Sequence, residues 1–162
     1  MHSPAAPLDR AGALCASRGA QLTELRRQVL QLVLEADQPV GAYALLDRLR
    51  GLRAGAAPPT VYRALDFLLE HGLIHKVERL NAYVGCIEPP THQAGHDHAH
   101  PHQFLICRNC GATAEISDPA VAAALAAAAA RAGFTLGLAT VEAEGLCARC
   151  NPDAAPPPPG HA

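Results

Sequence analysis

Apolar residues recur at helical spacing through the first 71 residues, in runs separated by short breaks. One run includes Leu25, Val29 and Leu32, which lie on one face of a helix. It follows Thr23, a residue type whose side chain can cap the free amides at a helix start. Together the runs predict four helices, at residues 8–18, from residue 23 to the break at Pro39, at 42–50 and at 58–71.

The pattern changes at Gly72, which stops the fourth helix and precedes two short β-like segments. The segments cover residues 73–77 and 82–86, and the short link between them predicts a β-hairpin. Helices followed by a hairpin predict a winged helix-turn-helix, a module that places one helix in the major groove of DNA. We expect residues 60–71 to form that recognition helix.

The second half of the chain predicts a small unit of strand, strand, helix and strand. The strands are expected at residues 103–107, 112–116 and 135–142, with an alanine-rich helix from Asp118-Pro119 to Gly133. We therefore expect an α+β chain with a winged-helix domain (1–86), a histidine-rich hinge loop (87–102), a second domain (103–150) and a disordered proline-rich tail (151–162).

Charge places any contact with nucleic acid in the first half. Residues 1–86 carry ten basic and eight acidic side chains, whereas residues 87–162 carry three and seven. Because the formal net charge is −2, DNA affinity would depend on where the arginines lie rather than on bulk charge. No secretory signal or bilayer-spanning run is present, which predicts a cytoplasmic protein whose thiols stay reduced.

Four of the six cysteines form two C-x-x-C pairs. They are Cys107, Cys110, Cys147 and Cys150. In a reducing compartment, metal ligation is a better interpretation of such pairs than disulfide bonding. Four thiolates complete a closed tetrahedral shell, which is typical of structural zinc. We therefore expect one structural zinc ion that contributes much of the folding free energy of the second domain.

A second group of potential ligands surrounds the hinge loop. Cys86 and His75 lie on the two strands of the hairpin, Glu115 lies in the second domain, and histidines fill the loop between them. A thiolate with imidazoles and a carboxylate suits zinc, or Co²⁺ as its mimic, better than a hard ion. Other interpretations stay open: Cys86 as a small core residue, His75 as an ordinary strand residue and Glu115 as a solvated carboxylate. The loop could equally be a flexible linker or a non-specific metal scavenger. Cys15 is interpreted as structural.

These residues resemble the ferric uptake regulator superfamily, and within it the zinc uptake regulator branch. The resemblance rests on PPTVYRALDFLLEHG (58–72), IHKVE (74–78), FLICRNCG (104–111) and VEAEGLCARC (141–150), and it covers about residues 10–150. It implies a homodimer with an N-terminal winged helix and a C-terminal dimerisation domain. It also implies repression of metal-uptake genes when metal is bound.

Carried over by position, the resemblance assigns a regulatory zinc to His75, Cys86, one loop histidine and Glu115. Its loop histidine falls at His100, with His98 and His102 as alternatives because this loop is longer and richer in histidine than usual. A cysteine at the end of the wing marks zinc sensors in this superfamily. We therefore expect two zinc ions per protomer, one structural and one regulatory.

The predicted recognition helix carries the candidates for DNA contact. Arg63 suits a base contact, because arginine donates two hydrogen bonds to guanine, although an ion pair with Asp66 or Glu70 is the alternative. Phosphate or thymine-methyl contacts are expected from Thr60 and Tyr62, and backbone contacts from Tyr43, Lys76 and Arg79.

The favoured function is a zinc-responsive repressor that binds double-stranded operator DNA as a homodimer, without a membrane or small-molecule partner. Alternatives are an iron, manganese or peroxide sensor of the same superfamily, or a zinc-buffering metallochaperone. An enzyme is disfavoured because the chain lacks H-E-x-x-H and the H-x-E…P-C-x-x-C pattern, and because a four-cysteine zinc has no open position.

Overall fold

The computed structural model describes residues 5–86, 102–137 and 139–151. These residues fall into two compact units, one within residues 1–94 and the other within 95–162. The expected hinge loop, apart from His102, and nearly all of the expected proline-rich tail lie outside the described residues.

The N-terminal unit contains the predicted helices and hairpin. Its elements are α1 (Ala5–Ser17), α2 (Glu24–Leu34), α3 (Ala42–Leu52), α4 (Pro58–Glu70), β1 (Ile74–Val77) and β2 (Ala82–Gly85). The two strands pair in antiparallel fashion, and a single 3-10 turn at Glu78–Leu80 joins them. Asn81 closes that turn in the left-handed region, with φ 47°, a conformation that asparagine tolerates better than most residues.

A continuous apolar core holds the helices of this unit together. Its largest fully buried side chains include Leu30 of α2, Leu45 and Leu49 of α3, and Leu65 of α4. Helix α1 adds Cys15, which has no exposed surface, so its interpretation as a structural residue is confirmed. Burial raises the pKa of the Cys15 thiol, against the smaller opposing effects of nearby arginines.

Thr23 does not act as predicted. It occupies the cap position of α2, but its side chain makes no capping hydrogen bond. Only its backbone carbonyl joins the helix, by accepting the Arg27 N–H at 2.9 Å. The prediction that its side chain caps the helix was therefore wrong.

The C-terminal unit is a three-stranded sheet with one helix. Its elements are β3 (His102–Cys107), β4 (Thr113–Ile116), α5 (Pro119–Arg131) and β5 (Thr140–Gly145). Strand β3 is central, antiparallel to β4 and parallel to β5. The third strand was predicted to start at residue 135, which was wrong. It starts at Thr140, because Thr140 pairs with His102, the first residue of β3.

Two polar side chains fix the start of α5. The Asp118 carboxylate accepts the Ala120 N–H at 2.8 Å and so caps the helix. The buried Gln103 amide of β3 donates to the Asp118 carbonyl at 3.0 Å and accepts its N–H at 3.3 Å. Sheet and helix are thus joined by hydrogen bonds rather than by a large apolar core.

Candidate metal centre and nucleic-acid interface

The two cysteine pairs meet because of the parallel pairing of β3 and β5. Cys107 ends β3 and pairs in register with Gly145, the last residue of β5, and the Arg108 N–H donates to the Gly145 carbonyl at 3.0 Å. Each pair then follows its strand into a tight turn. In the first turn the Gly111 N–H donates to the Cys107 carbonyl at 2.9 Å, and in the second the Cys150 N–H donates to the Cys147 carbonyl at 2.9 Å.

The resulting sulfur cluster has the dimensions of a tetrahedral metal site. The four sulfur atoms all lie within 4.8 Å of one another, and none is in a disulfide. Cys110 Sγ and Cys147 Sγ are 3.7 Å apart. Four thiolates bound at about 2.3 Å to one zinc ion stand roughly 3.8 Å from each other, so the donor set fits zinc.

Backbone amides and neighbouring sulfurs shift the pKa values of this cluster in opposite directions. The Cys147 N–H, which donates to Cys107 Sγ at 3.4 Å, is the main reason that the pKa of Cys107 is lowered to about 6. At Cys150 the Asn109 side chain lowers the pKa, but the adjacent thiols outweigh it and raise the value to about 11. Because neighbouring thiolates repel each other, ionisation of all four needs a cation among them.

A second pair of ligand-type side chains lies at the other end of β3. His102 Nδ1 is 3.6 Å from Glu115 Oε1, and both side chains are largely buried. Glu115 pairs in register with Phe104, which places it diagonally from His102 on the same face of the sheet. His100 and His98, the other candidates for the loop ligand, lie outside the described residues.

His75 and Cys86, the predicted ligands on the wing, belong to the N-terminal unit. His75 is buried in β1 and pairs in register with Val84. Cys86 is half-buried directly after β2, and its N–H donates to the Leu73 carbonyl at 3.1 Å. Among the residues that the structure describes, Cys86 does not belong to a close group of three or more metal-ligating side chains.

Helix α4 divides into a core face and an exposed face. Val61, Ala64, Leu65 and Leu68 are buried, whereas Tyr62 and Arg63 are exposed. Within the described residues Arg63 makes no hydrogen bond or ion pair, so the alternative pairing with Asp66 or Glu70 is not found there. Arg63 is therefore available to an external partner.

The other candidates for DNA contact differ in how available they are. Tyr43 is 69% exposed near the start of α3, Thr60 is half-buried and Arg79 is exposed. Lys76, however, donates to Glu78 Oε2 at 2.7 Å, and this hydrogen bond raises the pKa of Lys76. A phosphate contact by Lys76 would have to replace that ion pair.

A model described as the ferric uptake regulator family matches residues 17–143 of the chain. The chain belongs to the ferric uptake regulator family. It is 44% identical over 145 residues to the zinc uptake regulation protein of Escherichia coli (strain K12), a match that covers 88% of this chain and 80% of that protein.

Two solved structures of this family share the fold along most of the chain. A zinc uptake regulator complexed with zinc and DNA matches with a TM-score of 0.82 and 42% identity, covering 93% of this chain and 96% of that one. The crystal structure of holo XcZur matches with a TM-score of 0.76 and 43% identity, covering 88% and 95%. The predicted α+β fold, with a winged helix before a four-cysteine unit, is confirmed.

Some supporting residues carried no sequence signal. Gln103 and Asn109 act on their neighbours through side-chain hydrogen bonds that no sequence motif predicts.

Among the described residues, no helix is both long and apolar enough to cross a membrane.

Proposed function

We propose that this chain is a zinc-responsive transcriptional repressor that binds operator DNA as a zinc-loaded homodimer and shuts off zinc-uptake genes. The observation that carries the proposal is the likeness, at 42% identity and TM-score 0.82, to a zinc uptake regulator complexed with zinc and DNA. The family is one of regulators, which argues against the enzyme alternative.

The structural zinc is assigned to Cys107, Cys110, Cys147 and Cys150. Bound there, zinc supplies a closed tetrahedral cross-link with no open position for chemistry. The cysteines themselves end β3 and follow β5, so their ligation secures the parallel strand pair at that end of the sheet.

The regulatory zinc is assigned to His75, Cys86 and Glu115 together with one histidine of the hinge loop. The proximity of His102 to Glu115, at 3.6 Å, supports His102 as a participant alongside or in place of His100. Since the wing supplies His75 and Cys86 and the C-terminal unit supplies the rest, ligation links the two units and can bias DNA binding. By linkage, zinc and DNA would raise each other's affinity by the same factor, typically about 5–150-fold.

The dimer is supported by the exposed face of the C-terminal sheet. An apolar groove of about 350 Å³ runs over β3, β4 and β5, and Leu105 and Leu146 on its lining are 47% and 41% exposed. Such a patch favours burial against a second copy. A dimer would present two α4 helices to successive major grooves, which lie about 34–36 Å apart.

Zinc stoichiometry measured with DNA binding tests the proposal. A duplex selected from a random pool by the zinc-loaded protein serves as the operator probe. We expect two zinc ions per protomer, one of which a mild chelator removes together with DNA binding. A single tightly held zinc, with DNA binding indifferent to the chelator, would contradict the proposal, as would a preference for Fe²⁺ over zinc.

Two variants, each at a single cysteine, test whether Cys86 is a ligand of the regulatory zinc. Cys86→Ser should retain one tightly bound zinc and lose the labile one. Cys15→Ala is the matched control, because Cys15 of α1 lies in the apolar core of the N-terminal unit. This substitution should leave both zinc ions in place. Retention of the labile zinc by Cys86→Ser would remove Cys86 from the ligand set.

A further inference from the structure

A groove of about 260 Å³ lies between the start of α2 and the exposed side of α4. Its lining residues are Thr23, Leu25, Arg26, Thr60, Arg63 and Ala64. Two of them are arginines, two carry hydroxyl groups, and none is acidic. The nearest acidic residue in sequence is Glu24, whose carboxylate already accepts the Gln28 amide at 3.1 Å. The groove therefore has the chemistry of an anion site.

Arg26 is held in place by two contacts that leave most of its donors available. Its guanidinium carbon lies 3.6 Å from the centre of the Phe67 ring, which is a cation–π contact. One nitrogen donates to the Gln21 carbonyl at 2.7 Å. Because a guanidinium has five N–H donors, the others stay available to a ligand, and little side-chain entropy is lost when one binds.

The remaining polar groups of the groove are also unengaged in the described part of the chain. Thr23 does not use its hydroxyl to cap α2, and Arg63 makes no ion pair there. The side-chain hydroxyl of Thr60 likewise makes no hydrogen bond within the described residues. Two cationic and two neutral donors thus line one concavity, and among the described residues only Arg26 of these four side chains has an internal acceptor, the Gln21 carbonyl.

We propose that this groove binds one backbone phosphodiester of the operator, with Arg26 and Thr23 as its new ligands. The inference rests on the proposed function, since Thr60 and Arg63 on the same groove are the candidates for DNA contact. Arg63 would read a base, whereas Arg26 and Thr23 would anchor α2 to the sugar–phosphate strand beside it. Such an anchor sets the depth and tilt of α4 and carries no sequence information itself.

Salt dependence separates a phosphate ligand from a merely structural arginine. Operator affinity of the zinc-loaded protein is measured between 50 and 200 mM salt for wild type, Arg26→Gln and Arg26→Lys. Arg26→Gln should lower the slope of log affinity against log salt by about 1 and weaken binding roughly 10-fold or more. The affinity ratio between operator and scrambled duplex should not change, and Arg26→Lys should keep the slope.

Arg27→Gln is the matched control. Arg27 is the next residue of α2, but its guanidinium donates to Asp9 at 2.7 Å and does not line the groove. The Arg27→Gln substitution removes the same charge as Arg26→Gln. An equal fall in slope for both variants would therefore mean that net charge alone causes the effect, and it would overturn the proposal. Thr23→Val tests the site without disturbing the Phe67 contact, and should weaken binding about 3- to 10-fold with an unchanged slope.

The outcomes distinguish this inference from the proposed function. If wild type selects no duplex in zinc, the proposed function fails. If wild type binds but Arg26→Gln keeps the full slope and Thr23→Val the full affinity, the groove proposal alone is overturned. Binding of millimolar inorganic phosphate to wild type but not to Arg26→Gln, without any competition between phosphate and the operator at constant ionic strength, would show a free-phosphate site instead.

Discussion

Removing the metal from the four-cysteine cluster should unfold the C-terminal unit and leave the N-terminal unit folded. Among the described residues of the C-terminal unit, Phe104, Ile106 and Cys107 are the buried apolar residues, and α5 buries none of its side chains. Burial of Phe104 and Ile106 contributes about 1.5–3 kcal/mol each. A structural zinc contributes about 10–16 kcal/mol in zinc-finger peptides, so the metal outweighs this small core.

The aromatic residues allow the two units to be followed separately. The chain has no tryptophan, and its three tyrosines, Tyr43, Tyr62 and Tyr83, all lie in the N-terminal unit. Near-ultraviolet circular dichroism of tyrosine therefore reports on that unit alone. Hydrogen exchange read by mass spectrometry reports on peptides from both units.

After exhaustive chelation we expect the amides of β3 and β5 to exchange freely while those of α4 stay protected and the tyrosine signal persists. Cys110→Ala should reproduce this result without a chelator, and Cys86→Ser, which changes a cysteine of the other unit, should not. Protection of β3 and β5 in protein shown by metal analysis to be zinc-free would refute the reasoning. So would loss of the tyrosine signal in parallel.

Three further predictions concern stability and reactivity. Leu65→Ala, at a side chain with no exposed surface, should lower the free energy of unfolding by about 2–5 kcal/mol in urea, and a loss below about 1 kcal/mol would mean that the core collapses around the site. Asp118→Ala should lower the free energy of unfolding by about 1 kcal/mol, because α5 loses its cap. Asp118→Asn is the control, and equal stability of the two variants would contradict the capping role. After a mild chelator has removed the labile zinc, iodoacetamide at pH 8 should modify Cys86 well before Cys15, whose thiol is buried and has a raised pKa. Equal rates by mass spectrometry would contradict that burial.

Local patterns in the sequence were enough to predict most elements of the fold. The apolar spacing around Leu45 and Leu65 predicted helices α3 and α4, in which both of these side chains are fully buried, and the short link after Val77 predicted the hairpin. Each C-x-x-C motif predicted one pair of neighbouring sulfurs, because its tight turn brings two sulfurs together whatever surrounds it. These features depend on residues close together in the chain.

Features that depend on distant partners were decided by the tertiary structure. The start of β5 is set by its pairing with β3, so the 135–142 prediction missed it by five residues. Pairing choices also escaped prediction: Lys76 is held by Glu78, whereas Arg63 stays unpaired among the described residues.

Arg26 shows most clearly what the sequence by itself does not determine. In the sequence it is one of two adjacent arginines in a predicted helix. In the structure Phe67 of α4 fixes it beside Arg63, while its neighbour Arg27 turns to Asp9 of α1. Sequence periodicity determines which side of a helix is buried. Which charged side chain contacts which partner depends on packing between elements. The distance between two such side chains is set only when the chain folds.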